Sequence, residues 1–194
     1  LKIGSENVLI PNPRDLESFI NVLTKKKFTV ITAVNTLFNL LLTSKRFRDL
    51  DFSRFKFSVG GGMAVLSDTA YKWKEVTGTN ITQGYGLTET SPVVSINKIS
   101  DTFNGSIGLP VQSTKIKIID DDGNPVERNQ PGELCVQGPQ VMSGYWKIHD
   151  EKNIFFTKDD FFKTGDIATM NDKGYIKIVD RKKDMIISSG YNVF

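Results

Sequence analysis

The sequence has one cysteine, Cys135, and one histidine, His149. A single cysteine excludes an internal disulfide, and the pair cannot by itself supply the four ligands of a structural zinc site. His149 sits in a polar stretch with no acid–hydroxyl partnership visible, so it is not taken as a general base. No apolar run approaches the ~18 residues that a helical membrane span needs. The longest candidate, residues 28–42, is interrupted by Thr29, Thr32, Asn35, Thr36 and Asn39. Charge is nearly balanced, 25 Lys and Arg against 22 Asp and Glu, which gives no argument for nucleic acid. Internal repeats and low-complexity tracts are missing. An initiator Met, a signal peptide and a basic leader are missing before Leu1-Lys2-Ile3-Gly4. The chain closes on the apolar run Tyr191-Asn192-Val193-Phe194. Both ends read as cuts in a longer protein, and an incomplete active site is the expectation.

What remains is an ordinary globular composition, 39% hydrophobic and 24% charged over 194 residues, enough for one large or two small domains. So few cysteines suit the cytosol. The first part alternates helix and strand signals. Pro13 and Asp15 stand where a helix starts, Leu16, Phe19, Ile20 and Leu23 follow at helical spacing, and Lys25-Lys26-Lys27 closes it. Residues 28–34 read as a buried strand, 35–42 as a helix, and 55–59 as a strand running into Gly60-Gly61-Gly62. Residues 67–76 read as a helix capped by Ser67 or Asp68 and stopped by Gly78. Residues 80–83 form a short strand ending at Gly84-Tyr85-Gly86. This alternation predicts a mostly parallel α/β sheet, with ligands at the carboxyl ends of its strands. Helical periodicity stops near Gly105. Residues 115–119, 132–136 and 175–179 read as strands, with turns at Asp121-Asp122-Gly123 and Asn171-Asp172-Lys173-Gly174. The expectation is an α/β part over residues 1–104, then a small β-rich part over 105–180, drawn as an antiparallel sheet or distorted barrel, then residues 181–194.

Three segments carry candidate chemistry. Gly60-Gly61-Gly62 lets a flat ligand approach the backbone, or simply makes a tight turn. In Gln83-Gly84-Tyr85-Gly86-Leu87-Thr88-Glu89-Thr90, an aromatic between glycines could stack a base. Thr88 could donate to a phosphate, and Glu89 could hold a divalent cation. The plain alternative is a glycine-rich turn leading into an irregular connection. In Thr164-Gly165-Asp166 the carboxylate could accept from a ribose diol, although taken alone a surface-turn Asp is the commoner reading. Asp180-Arg181-Lys182-Lys183-Asp184, followed by Ser188-Ser189-Gly190-Tyr191, reads as a solvated linker able to absorb a domain rotation.

In this order, the glycine turn, Tyr-Gly-Leu-Thr-Glu-Thr, Thr-Gly-Asp and Asp-Arg-Lys-Lys-Asp-Met-Ile resemble the adenylate-forming superfamily of acyl-CoA synthetases, luciferases and peptide-synthetase adenylation domains. The linking stretches Val34-Asn35-Thr36-Leu37-Phe38-Asn39, Gly105-Ser106-Ile107-Gly108-Leu109-Pro110, Pro131-Gly132-Glu133-Leu134-Cys135-Val136 and Pro139-Gln140-Val141-Met142 resemble the bacterial long-chain fatty-acid–CoA ligases. The resemblance implies a two-step reaction. A fatty-acid carboxylate attacks the α-phosphate of Mg-ATP to give acyl-AMP and pyrophosphate, and the thiol of coenzyme A then displaces AMP. It implies roles at matching positions. Gly61, Gly62 and Met63 line the adenine pocket. Tyr85 stacks on adenine between Gly84 and Gly86. Thr88 binds the α-phosphate, Glu89 binds Mg²⁺, and Asp166 with Arg181 holds the ribose. Lys183 is the hinge of a mobile C-terminal domain, and Ser189, Gly190 and Tyr191 approach CoA. Val34, Asn35, Thr36 and Met63 form one wall of the acyl tunnel.

The resemblance also implies a phosphate-binding loop upstream of Leu1 and a catalytic lysine beyond Phe194, so the isolated chain is expected to be inactive. The expected partners are small molecules, namely fatty acid, ATP and CoA, with no nucleic acid. The expected location is the cytoplasm, with peripheral contact at the inner membrane face. Two rival readings stay open: adenylation of another carboxylate, aryl, short-chain or amino acid, and a non-catalytic adenine-nucleotide-binding module.

Overall fold

The computed structural model describes residues 4–147 and 154–181, and the backbone of 152–153, 186–188 and 191–193. The chain divides into two compact units, Leu1–Ile81 and Thr82–Phe194. In the first, α1 (Leu16–Lys26) starts where Asp15 accepts a hydrogen bond from the Ser18 amide at 3.0 Å. Lys25 and Lys26 lie in its last turn, and Lys27 ends it with φ 43°. Phe19, Ile20 and Leu23 are its buried face. Strands β1 (Val30–Ala33) and β2 (Phe57–Gly60) pair in parallel, with Val30 opposite Phe57 and Ala33 opposite Gly60. A parallel pair needs a crossover, here α2 (Asn35–Thr43) and the short α3 (Lys45–Arg48).

The core of this unit is aromatic. Trp73 of α4 (Ser67–Thr77) is fully buried, stacks on Phe47 at 5.3 Å, and meets Phe38 edge-on at 4.7 Å. The cap of α4 differs from expectation. Ser67 and Asp68 lie inside the helix, Leu66 is the N-cap, and Leu66 cannot cap with its own side chain. The exposed amide of Leu66 is met instead by the carboxamide oxygen of Asn35 at 2.9 Å, which ties the start of α2 to the start of α4. Gly78 closes α4 at φ 75°, as the sequence predicts.

In the second unit, β3 (Ile81–Gly86) pairs antiparallel with β4 (Val93–Ile96), which pairs antiparallel with β5 (Leu109–Pro110). The sequence reading assigns no strand to residues 93–96 and ends the preceding strand before its glycines. The structure carries the strand through Gly84-Tyr85-Gly86, with a register shift between Tyr85 and Gly86. Then follow β6 (Lys115–Ile119), β7 (Gly132–Gln137), α5 (Lys152–Phe155), β8 (Phe162–Met170) and β9 (Ile176–Arg181). The four strands form an antiparallel sheet in the order β6-β7-β8-β9. It is open, not a barrel. Four strands are too few to close around a packed interior, and β6 and β9 remain its edges. Of the run at 180–184, read from sequence as a linker, Asp180 and Arg181 belong to β9, and the rest lies outside the described residues. The expected change of texture at residue 105 falls between β4 and β5. Val94, Ile107, Ile118, Leu134, Val136, Ala168 and Ile176 form the apolar core. Beyond this sheet, β10 (Ile186–Ser188) and β11 (Tyr191–Val193) pair antiparallel. Among the described residues no helix is long and apolar enough to cross a membrane.

A Cβ on Gly86 would lie 1.8 Å from the Pro92 carbonyl oxygen, whereas one on Gly84 would lie 3.3 Å from that of Ser95. Backbone cannot yield as a side chain can, so Gly86→Ala should cost about 3 kcal/mol or more and Gly84→Ala clearly less, read from urea midpoints. Cys135 is fully buried in β7, and burial, helped by the Glu133 charge, pushes its thiol from 9.0 up to about 12. The folded value lies above the unfolded one. This contribution to stability is therefore complete below pH 9.0 and is lost as pH rises toward about 12. Iodoacetamide at about pH 8 should label Cys135 only in denaturant. Rapid labelling of the folded chain would contradict its burial.

Candidate functional site

Three strands of the second unit deliver the groups that converge. β3 ends on Gly84-Tyr85-Gly86, β8 carries Thr164-Gly165-Asp166, and β9 ends on Arg181. Register places Asp166 opposite Arg181. The Tyr85 hydroxyl donates to Oδ2 of Asp166, and Nε of Arg181 lies 3.3 Å from Oδ1. Asp166 is only 5% exposed, and a buried carboxylate persists only with partners. Here it has one neutral donor and one cation. Burial, then the hydrogen bond and charge of Asp166, push the Tyr85 phenol far up, so it stays a donor at physiological pH. The adjoining backbone is fixed as well. The Thr164 hydroxyl donates to the Leu134 carbonyl at 2.8 Å and accepts from the Asp166 amide at 3.1 Å. Gly165, at φ 74°, donates its amide to Oε1 of Glu133 at 3.2 Å.

A second carboxylate approaches from the turn after β3. Thr88–Thr90 form one turn of 3-10 helix. It is locked by Thr90, whose buried hydroxyl donates to the Pro92 carbonyl at 2.6 Å and accepts from the Leu87 amide at 3.0 Å. Thr88 is exposed and Glu89 half-buried. The Glu89 carbonyl accepts from the Met142 amide at 2.8 Å, and its Oε1 accepts from the Tyr145 hydroxyl at 2.7 Å. Burial, with Glu89 beside it, pushes the Tyr145 phenol up to about 12.

Glu89 and Asp166 both line a cavity of about 410 Å³. Leu87, Ile154, Phe155 and Phe162 give it apolar wall. Tyr145, Lys163, Arg181 and Glu133 give it polar wall. Tyr85 reaches it through Asp166, and Thr88 is not part of the wall. Among the described residues no cluster of three or more His, Cys, Asp or Glu could hold a metal ion. A hard cation at Glu89 would therefore draw most of its ligands from water and phosphate, as Mg²⁺ commonly does.

Apart from Tyr191, the remaining candidates belong to the first unit or lie outside the described residues. Val34, Gly61, Gly62 and Met63 follow the carboxyl ends of the parallel strands β1 and β2. The Gly61 amide donates to the Ala33 carbonyl at 3.3 Å, and Gly62 adopts φ 76° beside Val34. Val34, Thr36 and Met63 are exposed, while Asn35 is buried and engaged with Leu66. Lys183, Ser189 and Gly190 lie outside the described residues, and Tyr191 begins β11. Sequence reasoning misses Lys163, Glu133 and Tyr145. Lys163 directly precedes Thr-Gly-Asp, a signal that could have found it. Tyr145 has no local signal, because its partner lies 56 residues earlier.

The model of the AMP-binding enzyme family matches residues 1–146. The chain belongs to that family. This AMP-binding family chain is 52% identical to a long-chain-fatty-acid–CoA ligase of Escherichia coli O157:H7, over 100% of its own length and 35% of the ligase. It thus spans about a third of that relative. Among solved structures it is similar to the anthranilate CoA ligase AuaEII in complex with anthranoyl-AMP. That match has 28% identity and a TM-score of 0.87, over 98% of this chain and 37% of the other. It is similar also to ATP-bound MatB from Rhodopseudomonas palustris, with 29% identity and a TM-score of 0.83, over 93% and 36%.

The family chain makes one buried hydrogen bond to a charged group that a single atom tests. Tyr85→Phe removes the donor to Asp166 and keeps the ring. Such bonds contribute about 1.5–3 kcal/mol, so the urea midpoint should fall accordingly. An unchanged midpoint would mean that Arg181 and water satisfy Asp166 without Tyr85.

Proposed function

We propose that the full-length protein carrying this chain is a long-chain fatty-acid–CoA ligase. It activates the acid with ATP to acyl-AMP, releasing pyrophosphate, and then passes the acyl group to coenzyme A. The observation that carries the reading is the Asp166 carboxylate, buried yet facing a cavity and oriented by Tyr85 and Arg181. Each of its oxygens keeps a lone pair for a ribose hydroxyl. Tyr85 would then serve twice, its ring against adenine and its hydroxyl on the ribose-binding group. Gly61, Gly62 and Met63 are our further candidates for contact with adenine. Thr88, exposed on a rigid turn, would donate to the α-phosphate. Glu89 would contribute one oxygen to Mg²⁺, which supplies charge neutralisation of the phosphates when bound. Arg181, two-thirds exposed while it pairs with Asp166, keeps donors for the nucleotide.

The substrate class is favoured by the identity gap: 52% to a long-chain-fatty-acid–CoA ligase against 28% to an anthranilate ligase. Val34, Asn35, Thr36 and Met63 are our candidates for one acyl wall, Lys183 for the hinge, and Ser189, Gly190 and Tyr191 for the approach to CoA. The reading includes a cytoplasmic protein that meets long-chain acids at the inner membrane face. The 194 residues hold no Gly/Ser/Thr-rich loop followed by Pro-Lys-Gly, and the chain alone should be inactive.

The test is pyrophosphate release by the full-length protein with Mg-ATP and palmitate, then acyl-CoA formation on adding CoA. Asp166→Ala should raise the KM for ATP about 10- to 100-fold, the loss expected for hydrogen bonds to a charged group. No pyrophosphate with palmitate, but release with an aryl or short-chain acid, would move the protein to another substrate class. No release with any carboxylate would sink the ligase reading.

A further inference from the structure

We infer that Tyr145 is a positioning residue that sets the Glu89 carboxylate for its cation. The inference rests on the proposed role of Glu89 and adds a residue to it. Glu89 is gripped twice by one short segment, its carbonyl by the Met142 amide at 2.8 Å and its Oε1 by the Tyr145 hydroxyl at 2.7 Å. The main-chain bond fixes where the residue stands. The phenol fixes how the carboxylate turns, since a half-buried glutamate otherwise samples several rotamers. Tyr145 is itself held, its ring edge-on to Phe155 at 4.9 Å and 70°. Both rings and Glu89 line the same cavity.

A carboxylate that gives one oxygen to a phenol can present the other to a metal. Donors behind ligand carboxylates set their orientation, and their loss typically costs 10- to 100-fold in metal affinity or activity. The alternative for Tyr145 is purely structural, a surface hydroxyl satisfying a nearby acid. The two differ in what Tyr145→Phe does. That variant keeps the ring against Phe155 and removes one oxygen.

The experiment uses the full-length protein, with Mn²⁺ as probe in the presence of ATP and free Mn²⁺ read by electron paramagnetic resonance. Thermal melts accompany Tyr145→Phe, Glu89→Gln and the double variant. Expected are a roughly 10-fold weaker Mn²⁺ affinity for Tyr145→Phe, an unchanged melt, and no further loss when it is added to Glu89→Gln. Unchanged Mn²⁺ affinity in Tyr145→Phe overturns the inference. So does a lowered melt with normal affinity, or an undiminished effect on the Glu89→Gln background. If the wild type releases pyrophosphate while Tyr145→Phe behaves normally, the ligase reading stands and the Tyr145 role falls. If the wild type takes up no Mn²⁺ with ATP, the Glu89 and Tyr145 roles fall, and pyrophosphate release decides the ligase reading separately.

Discussion

The second unit is organised around one buried charge. Asp166 lies 5% exposed in the middle of a nine-residue strand, where an unpartnered carboxylate would be strongly unfavourable. Its two oxygens are met from different strands, by Tyr85 from β3 and Arg181 from β9. The three groups are mutually dependent. Burial, then Asp166, keeps Tyr85 protonated, Tyr85 and Arg181 partner the two Asp166 oxygens, and register holds Arg181 opposite it. Because Tyr85 and Asp166 are 81 residues apart in sequence, the site exists only once β3 and β8 are both in place.

Close backbone approach is the second constraint, and it explains why glycine recurs around the site. At Gly86 the opposing chain leaves no room for a Cβ. The same holds at Gly108, where a Cβ would lie 2.0 Å from the Ile96 carbonyl carbon, and at Gly132, 2.4 Å from the Ile119 carbonyl oxygen. These glycines serve the chain's own packing. At Gly86 the requirement is met by β4, whatever room the position also leaves for a ligand. Gly62 differs: its φ of 76° is a turn requirement, with only Val34 near.

Local elements were legible in the sequence because their signals are local. The Asp15 cap, the Lys25-Lys26 terminus and the Gly78 stop act within one turn of their helices. The Asn171–Gly174 turn likewise joins neighbouring strands, with Asn171 accepting from the amides of Lys173 and Tyr175. Pairings between distant residues were not legible. The cap of α4 is Asn35, 31 residues before Leu66, whereas the local sequence points to Ser67 and Asp68, which have the right chemistry at the wrong position. β4 carries little sequence signal because Val93–Ile96 is short and its partner strand reads as a glycine loop. Asp166 and Glu89 were legible as chemistry, while their holders Tyr85 and Tyr145 depend on contacts that no spacing encodes. Barrel closure failed for a related reason: alternation reports a sheet, not the number of strands.

The charge of the cavity gives the sharpest constraint on what can occupy it. Asp166, Glu89 and Glu133 line it against Lys163 and Arg181. Glu133 is partly spent on the Gly165 amide and Asp166 on Tyr85 and Arg181. A bare polyanion would meet three carboxylates against two cations and be repelled at short range. A ligand fits if it brings donors to Asp166 and positive charge to Glu89. A ribose diol supplies the first, and a cation shared with phosphates supplies the second. Lys163, with no carboxylate partner within salt-bridge distance among the described residues, can then face the phosphate side. A metal-bound nucleotide meets each of these demands at once. Inorganic phosphate alone meets only the last, and a free metal ion only the demand at Glu89.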